Sequence, residues 1–115
     1  MLTFKPIQDD SLLKETGADL IFSAVEADSE TGFAYMKIDG FFCEIFKVAF
    51  PKDKPYIFQG LVRACLNAAT NKNAYIGKLT DEACFEEAKT MNFIFDGKCY
   101  SNDIPTLLMG YCENH

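Results

Sequence analysis

Tryptophan is absent, histidine occurs once, and no apolar run approaches the roughly 20 residues that a membrane span requires. Eleven Phe and five Tyr stand in for the missing tryptophan, so the core is expected to be unusually aromatic. The lone His115 sits at the C-terminal end, where a solvated tail is expected, and no second histidine supports a zinc site or a Cys–His catalytic pair. Five cysteines (Cys43, Cys65, Cys84, Cys99 and Cys112) form an odd set without C-x-x-C spacing. Four of them fall at apolar positions of expected strands or helices, which reads as buried free thiols in a reducing compartment. No metal is expected.

Positive charge is also thin. Eleven Lys and Arg against seventeen acids leave a formal charge of −6, and the basic residues are scattered. Such a surface does not attract nucleic acid. The start MLTFKPIQDD has no basic stretch followed by an apolar core, so no signal peptide is expected. A chain of this length supports one domain, residues 1–115, able to bury about two-thirds of its unfolded surface without disulfides or metal. The reading is one soluble, cytoplasmic α/β domain without membrane contact.

The stretch Phe41 to Leu79 organises the rest. Phe41 to Phe50 is apolar in both alternating phases, with Phe42, Phe46, Val48 and Phe50 on one face and Phe41, Cys43, Ile45 and Ala49 on the other. That pattern predicts a central strand covered on both sides. Pro51 stops the ladder, and Pro55 opens a helix capped by Asp53 or Lys54. Ile57/Phe58, Leu61/Val62, Cys65/Leu66 and Ala68/Ala69 give that helix one wide apolar stripe, closed by Thr70 to Asn73. Ala74 to Leu79 returns as a strand, so a parallel βαβ unit with a right-handed crossover is predicted.

Before this unit, Leu2 to Pro6 reads as a strand and Gln8 to Gly17 as one short helix capped by Asp9, Asp10 or Ser11. Strands at Asp19 to Glu26 and Phe33 to Asp39 flank a polar turn, Ala27 to Gly32, and Asp39-Gly40 makes a hairpin into the central strand. After the unit, Thr80-Asp81-Glu82 starts a helix carrying Ala83/Cys84, Ala88 and Met91 inward. Phe93 to Tyr100 is expected as one bulged strand rather than a hairpin at Asp96-Gly97, because two arms of three residues would be marginal. Thr106 to Cys112 is expected as the last strand.

The order β, short α, β, β, β, α, β, α, β, β resembles the GNAT N-acetyltransferase superfamily. The helix segment from Gly60 to Ala69 is similar to that family's GxxLLxxLLxxA pattern. Asp81-Glu82-Ala83-Cys84 with Asn92-Phe93 stands where the family carries NxxAxxxYxxxGF. The resemblance implies an α+β fold: a mixed, mostly antiparallel sheet with a central parallel βαβ unit and helices on both faces. It implies acyl transfer from acetyl-CoA or another acyl-CoA to an amine of a small molecule or peptide. In its terms Val48, Ala49 and Phe50 would bind the pantetheine arm through backbone, with Tyr56, Phe58, Gly60 and Asp81 also at cofactor positions. Glu44 stands where some members carry a general base; its plain alternative is a solvated or lysine-paired carboxylate.

Departures bear on function. Asp53, Tyr56 and Phe58 replace the family's pyrophosphate-loop signature [Q/R]xxGx[G/A], with only Lys52 and Lys54 to offset the acid. The Tyr that protonates the leaving thiolate in many members falls at Ala88, and Tyr75, Tyr100 and Tyr111 are the candidates to replace it. Tyr56 and Phe58 read as an adenine stack or the roof of a pocket, or, as such aromatics more often are, as core or dimer contacts. One short helix stands where the family has two, so an uncovered sheet face and a homodimer are expected. A second reading therefore stands beside the enzyme: a GNAT-like binding or dimerisation module without catalysis.

Overall fold

A computed structural model describes residues 1–109. Tyr111, Cys112 and His115 lie outside the described residues. β1 (Leu2–Pro6) and α1 (Asp10–Thr16) lead into an antiparallel meander of β2 (Leu20–Glu26), β3 (Ser29–Asp39) and β4 (Phe42–Ala49). α2 (Pro55–Thr70) then crosses to β5 (Ile76–Leu79), which lies parallel to β4. A 3₁₀ turn (Glu82–Cys84) runs into α3 (Phe85–Ala88), and β6 (Ile94–Phe95), β7 (Tyr100–Asp103) and α4 (Ile104–Met109) follow. Among the described residues the sheet has the order β1-β2-β3-β4-β5-β7-β6. It is the expected mixed sheet, mostly antiparallel around one parallel pair.

α1 forms where its signals stand: the Asp9 carboxylate accepts from the Ser11 and Leu12 amides, and Gly17 closes the helix at φ 77°. α2 begins at Pro55, whose missing N–H costs nothing in a first turn, with Lys54 at the cap position. Its stripe of Ile57, Phe58, Leu61, Val62, Cys65, Leu66 and Ala69 is fully buried against the sheet. Gly60 is where helix and β1 meet: a Cβ there would collide with the Phe4 ring. Cys43, Cys65 and Cys84 are buried free thiols and Cys99 is half-buried.

Several expectations need correction. The turn between β2 and β3 is not Ala27 to Gly32 but Ala27-Asp28 alone, both at positive φ, which suits the twist of a two-residue hairpin. β4 does not keep one alternating phase. Tyr35 pairs with Lys47 but Met36 pairs with Ile45, so Phe46 is an extra residue, a β-bulge. Cys43 and Ile45 before it and Val48 after it therefore all face α2, and Phe42 on the opposite face is 44% exposed. The coverage expected on both sides is incomplete; Phe41 belongs to the turn and is more exposed still.

The rejected hairpin is the real one. Ile94–Phe95 pairs with Tyr100–Ser101 around a turn in which Asp96 accepts from the Lys98 and Cys99 amides and Gly97 takes φ 102°. Its short arms hold because β7 also pairs with β5. The strand expected over Thr106 to Cys112 begins instead as helix α4. Asp103 accepts from the Thr106 amide and hydroxyl at 2.9 Å each, and Pro105 sits in the first turn.

Candidate functional site

β4 and β5 are joined only in part. Phe42 to Ile45 pair with Ile76 to Leu79, the Thr80 amide adds a last bond to the Ile45 carbonyl at 3.1 Å, and there the strands part. The bulge at Phe46 and the turn at Asp81 produce this fork, because neither chain can continue the ladder beyond it. Past the fork β4 presents backbone groups that β5 no longer satisfies, and a buried amide without a partner is costly.

Side chains supply the partners. The Val48 amide donates to Asp81 Oδ2 at 3.1 Å, and Cys84 Sγ donates to the Val48 carbonyl at 3.4 Å. Asp81 simultaneously accepts from the Ala83 amide and so caps the 3₁₀ turn. Burial first, then the neighbouring Asp81 carboxylate, push the Cys84 thiol up to about 12, so it stays protonated as the hydrogen-bond donor this geometry requires. Burial likewise raises Cys43 to about 11, and neither thiol is a nucleophile at neutral pH.

Thr80 acts elsewhere. Its hydroxyl donates to Glu44 Oε2 at 2.8 Å, tying the candidate base to the point where the strands separate, on the face away from α2. In register, Glu44 lies opposite Lys37 on β3 and Lys78 on β5. With Asp39 and Phe42 these residues line an open cavity of about 210 Å³. The Lys37 ammonium stands 5.1 Å from the Phe46 ring centre and that of Lys78 stands 4.6 Å from the Phe42 ring centre. Strand register places these residues together; sequence spacing alone could not.

The other expected cofactor residues are dispersed. Ala49 pairs with Phe33 in the sheet. Phe50 packs its ring against Phe58 at 5.3 Å, with the Lys52 ammonium 4.7 Å from its ring centre. Phe58 is fully buried and offers a ligand no surface, so its core reading holds. Tyr56 is exposed and, with Leu2, Phe4, Gln59, Gly60 and Arg63, lines a second groove of about 280 Å³ on the β1 side of α2. Lys52 reaches Glu87 and the Ala83 carbonyl, and Lys54 reaches Glu26 at 3.4 Å, so both loop cations have carboxylate partners. Of the candidate acids, Tyr100 is buried against Phe85 and Phe95, while Tyr75 is exposed beside Phe41.

Solved structures of similar fold include acetyltransferases, one of them described as of the GNAT family. One from Desulfovibrio desulfuricans superposes with a TM-score of 0.69 at 10% identity, over 90% of this chain and 99% of its own. Ard1 from Thermoplasma volcanium gives 0.65 at 14% identity, over 89% and 97%. The E. coli protein YhhK, solved bound to coenzyme A, gives 0.65 at 13% identity, over 90% and 98%. No family model and no curated protein matches the sequence. The chain has the GNAT fold, as its order of elements implied.

Proposed function

We propose that the chain transfers an acyl group from an acyl-CoA, acetyl-CoA in the simplest case, to an amine. The observation that carries this reading is Glu44, held by Thr80 at the β4–β5 fork with its carboxylate on the open face. A neutral amine there attacks the thioester carbonyl carbon: the C–N bond forms, the C–S bond breaks, and Glu44 takes the proton from nitrogen. The thiolate leaves without a tyrosine at the position of Ala88 and takes its proton from water. The Val48 amide and carbonyl suit the amides of a pantetheine arm, which would displace Asp81 and Cys84. That exchange replaces hydrogen bonds with hydrogen bonds, each worth only about 1 kcal/mol net, so the gains and losses largely cancel.

A second reading, a GNAT-like module without catalysis, draws on the same fork. Val48 is already satisfied within the chain, Asp53 stands in the loop, and Lys52 and Lys54 are neutralised by Glu87 and Glu26. Thermal unfolding with millimolar acetyl-CoA separates the two. Binding at a hundred times the dissociation constant contributes about 2.7 kcal/mol and raises Tm by several degrees. No shift with acetyl-CoA or with longer acyl chains removes the enzyme. A homodimer through the open face, in the cytoplasm, belongs to the same proposal: the second copy would supply the missing wall of the acceptor cleft.

A further inference from the structure

Lys37, Glu44 and Lys78 form a row across β3, β4 and β5, each directly opposite the next. Opposite charges at such positions ordinarily meet, because their Cβ atoms stand about 5 Å apart. Here no ion pair within 4.0 Å joins them or Asp39 among the described residues. Instead the two ammoniums are drawn over Phe46 and Phe42, and the carboxylate is held by Thr80. Two cations and two acids are thus kept apart around one gap of about 210 Å³. The gap is smaller than the roughly 300 Å³ at which drug-sized ligand sites begin, so it fits a small molecule or one end of a longer one.

We propose that this gap binds a small zwitterion: an amine that also carries an anionic group, an amino acid in the simplest case. Its ammonium meets Glu44, with Asp39 adding negative potential, and its anionic group meets the ammonium of Lys37 or Lys78. Charge decides the class. A diamine would place its second cation against lysine, whereas a simple anion would face Glu44 and Asp39. The assignment deepens the acyl-transfer reading by naming its acceptor, yet binding at the gap does not require an acyl-CoA.

The test is amide NMR titration of the full chain with β-alanine and with putrescine, no acyl-CoA present. β-Alanine is expected to shift the amides of Lys37, Glu44 and Lys78 saturably, and putrescine to leave them unmoved. In Lys37→Met/Lys78→Met, which keeps the apolar stems over the rings, β-alanine affinity should fall about tenfold or more. Added salt should weaken wild-type binding, which keeps the idea testable even if the double variant misfolds. Putrescine binding as tightly as β-alanine, no saturable β-alanine shift, or salt-independent β-alanine binding each overturns it. A β-alanine response beside silence toward acetyl-CoA would keep the zwitterion gap and remove the enzyme; the reverse pattern would keep the enzyme and remove the gap.

Discussion

Under α2 the central strands present Ala34, Met36, Cys43, Ile45 and Val48, all buried against one helix. On the opposite face the same strands present Phe33, Tyr35, Lys37, Phe42, Glu44, Phe46 and Lys78, none of them fully buried. Both faces are aromatic or apolar in large part, so hydrophobicity alone does not separate them. The difference lies in what holds each side chain. The first face is packed by volume, and the second by ring stacking, cation–π contacts and one hydroxyl-to-carboxylate bond. Close packing suits stability, while separated charges with open access suit a ligand. The bulge at Phe46 lets one strand serve both, because it turns Val48 back under α2 while leaving Glu44 outside.

The sharpest way to break this contrast is to truncate one aromatic on each face. Phe58→Ala, in the buried stripe of α2, is expected to cost about 3–5 kcal/mol, while Phe46→Ala on the open face should cost about 1 kcal/mol, measured by chemical unfolding. Equal losses would mean that the open face is a second core. Next in size is Glu44→Gln. Turnover should fall about a hundredfold while Tm and acyl-CoA binding hold, since the Thr80 hydroxyl can donate to an amide oxygen. Unchanged turnover in an active protein would return Glu44 to an ordinary strand carboxylate.

Asp81→Ala probes the fork between the faces. It removes both a turn cap and the partner of the Val48 amide, for a loss of about 1–2 kcal/mol, while acetyl-CoA affinity should hold or rise in calorimetry. A loss of affinity would make Asp81 a cosubstrate contact instead of a placeholder. The smallest effect expected is on acid stability, at α4. The Thr106 amide, then its hydroxyl, hold the Asp103 carboxyl below the usual carboxylate range. Because the folded value is the lower one, this contribution is complete above the unfolded value near ~4 and is lost as pH falls through the folded value. Asp103→Asn should therefore flatten the acid limb of a Tm-against-pH curve, and an unchanged limb would assign that limb to other groups.

How much of this was legible in advance depends on the range of the interaction that decides it. α1, the α2 stripe, the β3–β4 hairpin and the parallel β4–β5 pair were written in periodicity, turn and capping residues, which act over a few positions, although the loop itself is Gly40-Phe41, with Asp39 paired to Phe42. The hairpin at Asp96-Gly97 and helix α4 carried local signals too, an Asp-Gly turn and an Asp–Ile–Pro–Thr cap. For the hairpin, short arms are marginal only in isolation, and here β7 is anchored on β5. The site was less legible. Glu44 could be singled out by its place on the central strand, and Asp81 by its place before a helix. Nothing in their spacing reveals that Thr80 holds the first or that Asp81 and Cys84 close over Val48.

The sequence by itself determined which segments are helix and strand through most of the chain, their order, and hence the GNAT-like sheet. Short-range sterics, capping bonds and apolar periodicity need no knowledge of distant partners. Only the tertiary structure decided which face each β4 residue takes and which charges share a gap. A single extra residue inverts strand phase, and it is visible only against the register of β3. The Lys37–Glu44–Lys78 row joins three strands whose members lie up to 41 positions apart, a juxtaposition set by pairing across the sheet and by no local rule.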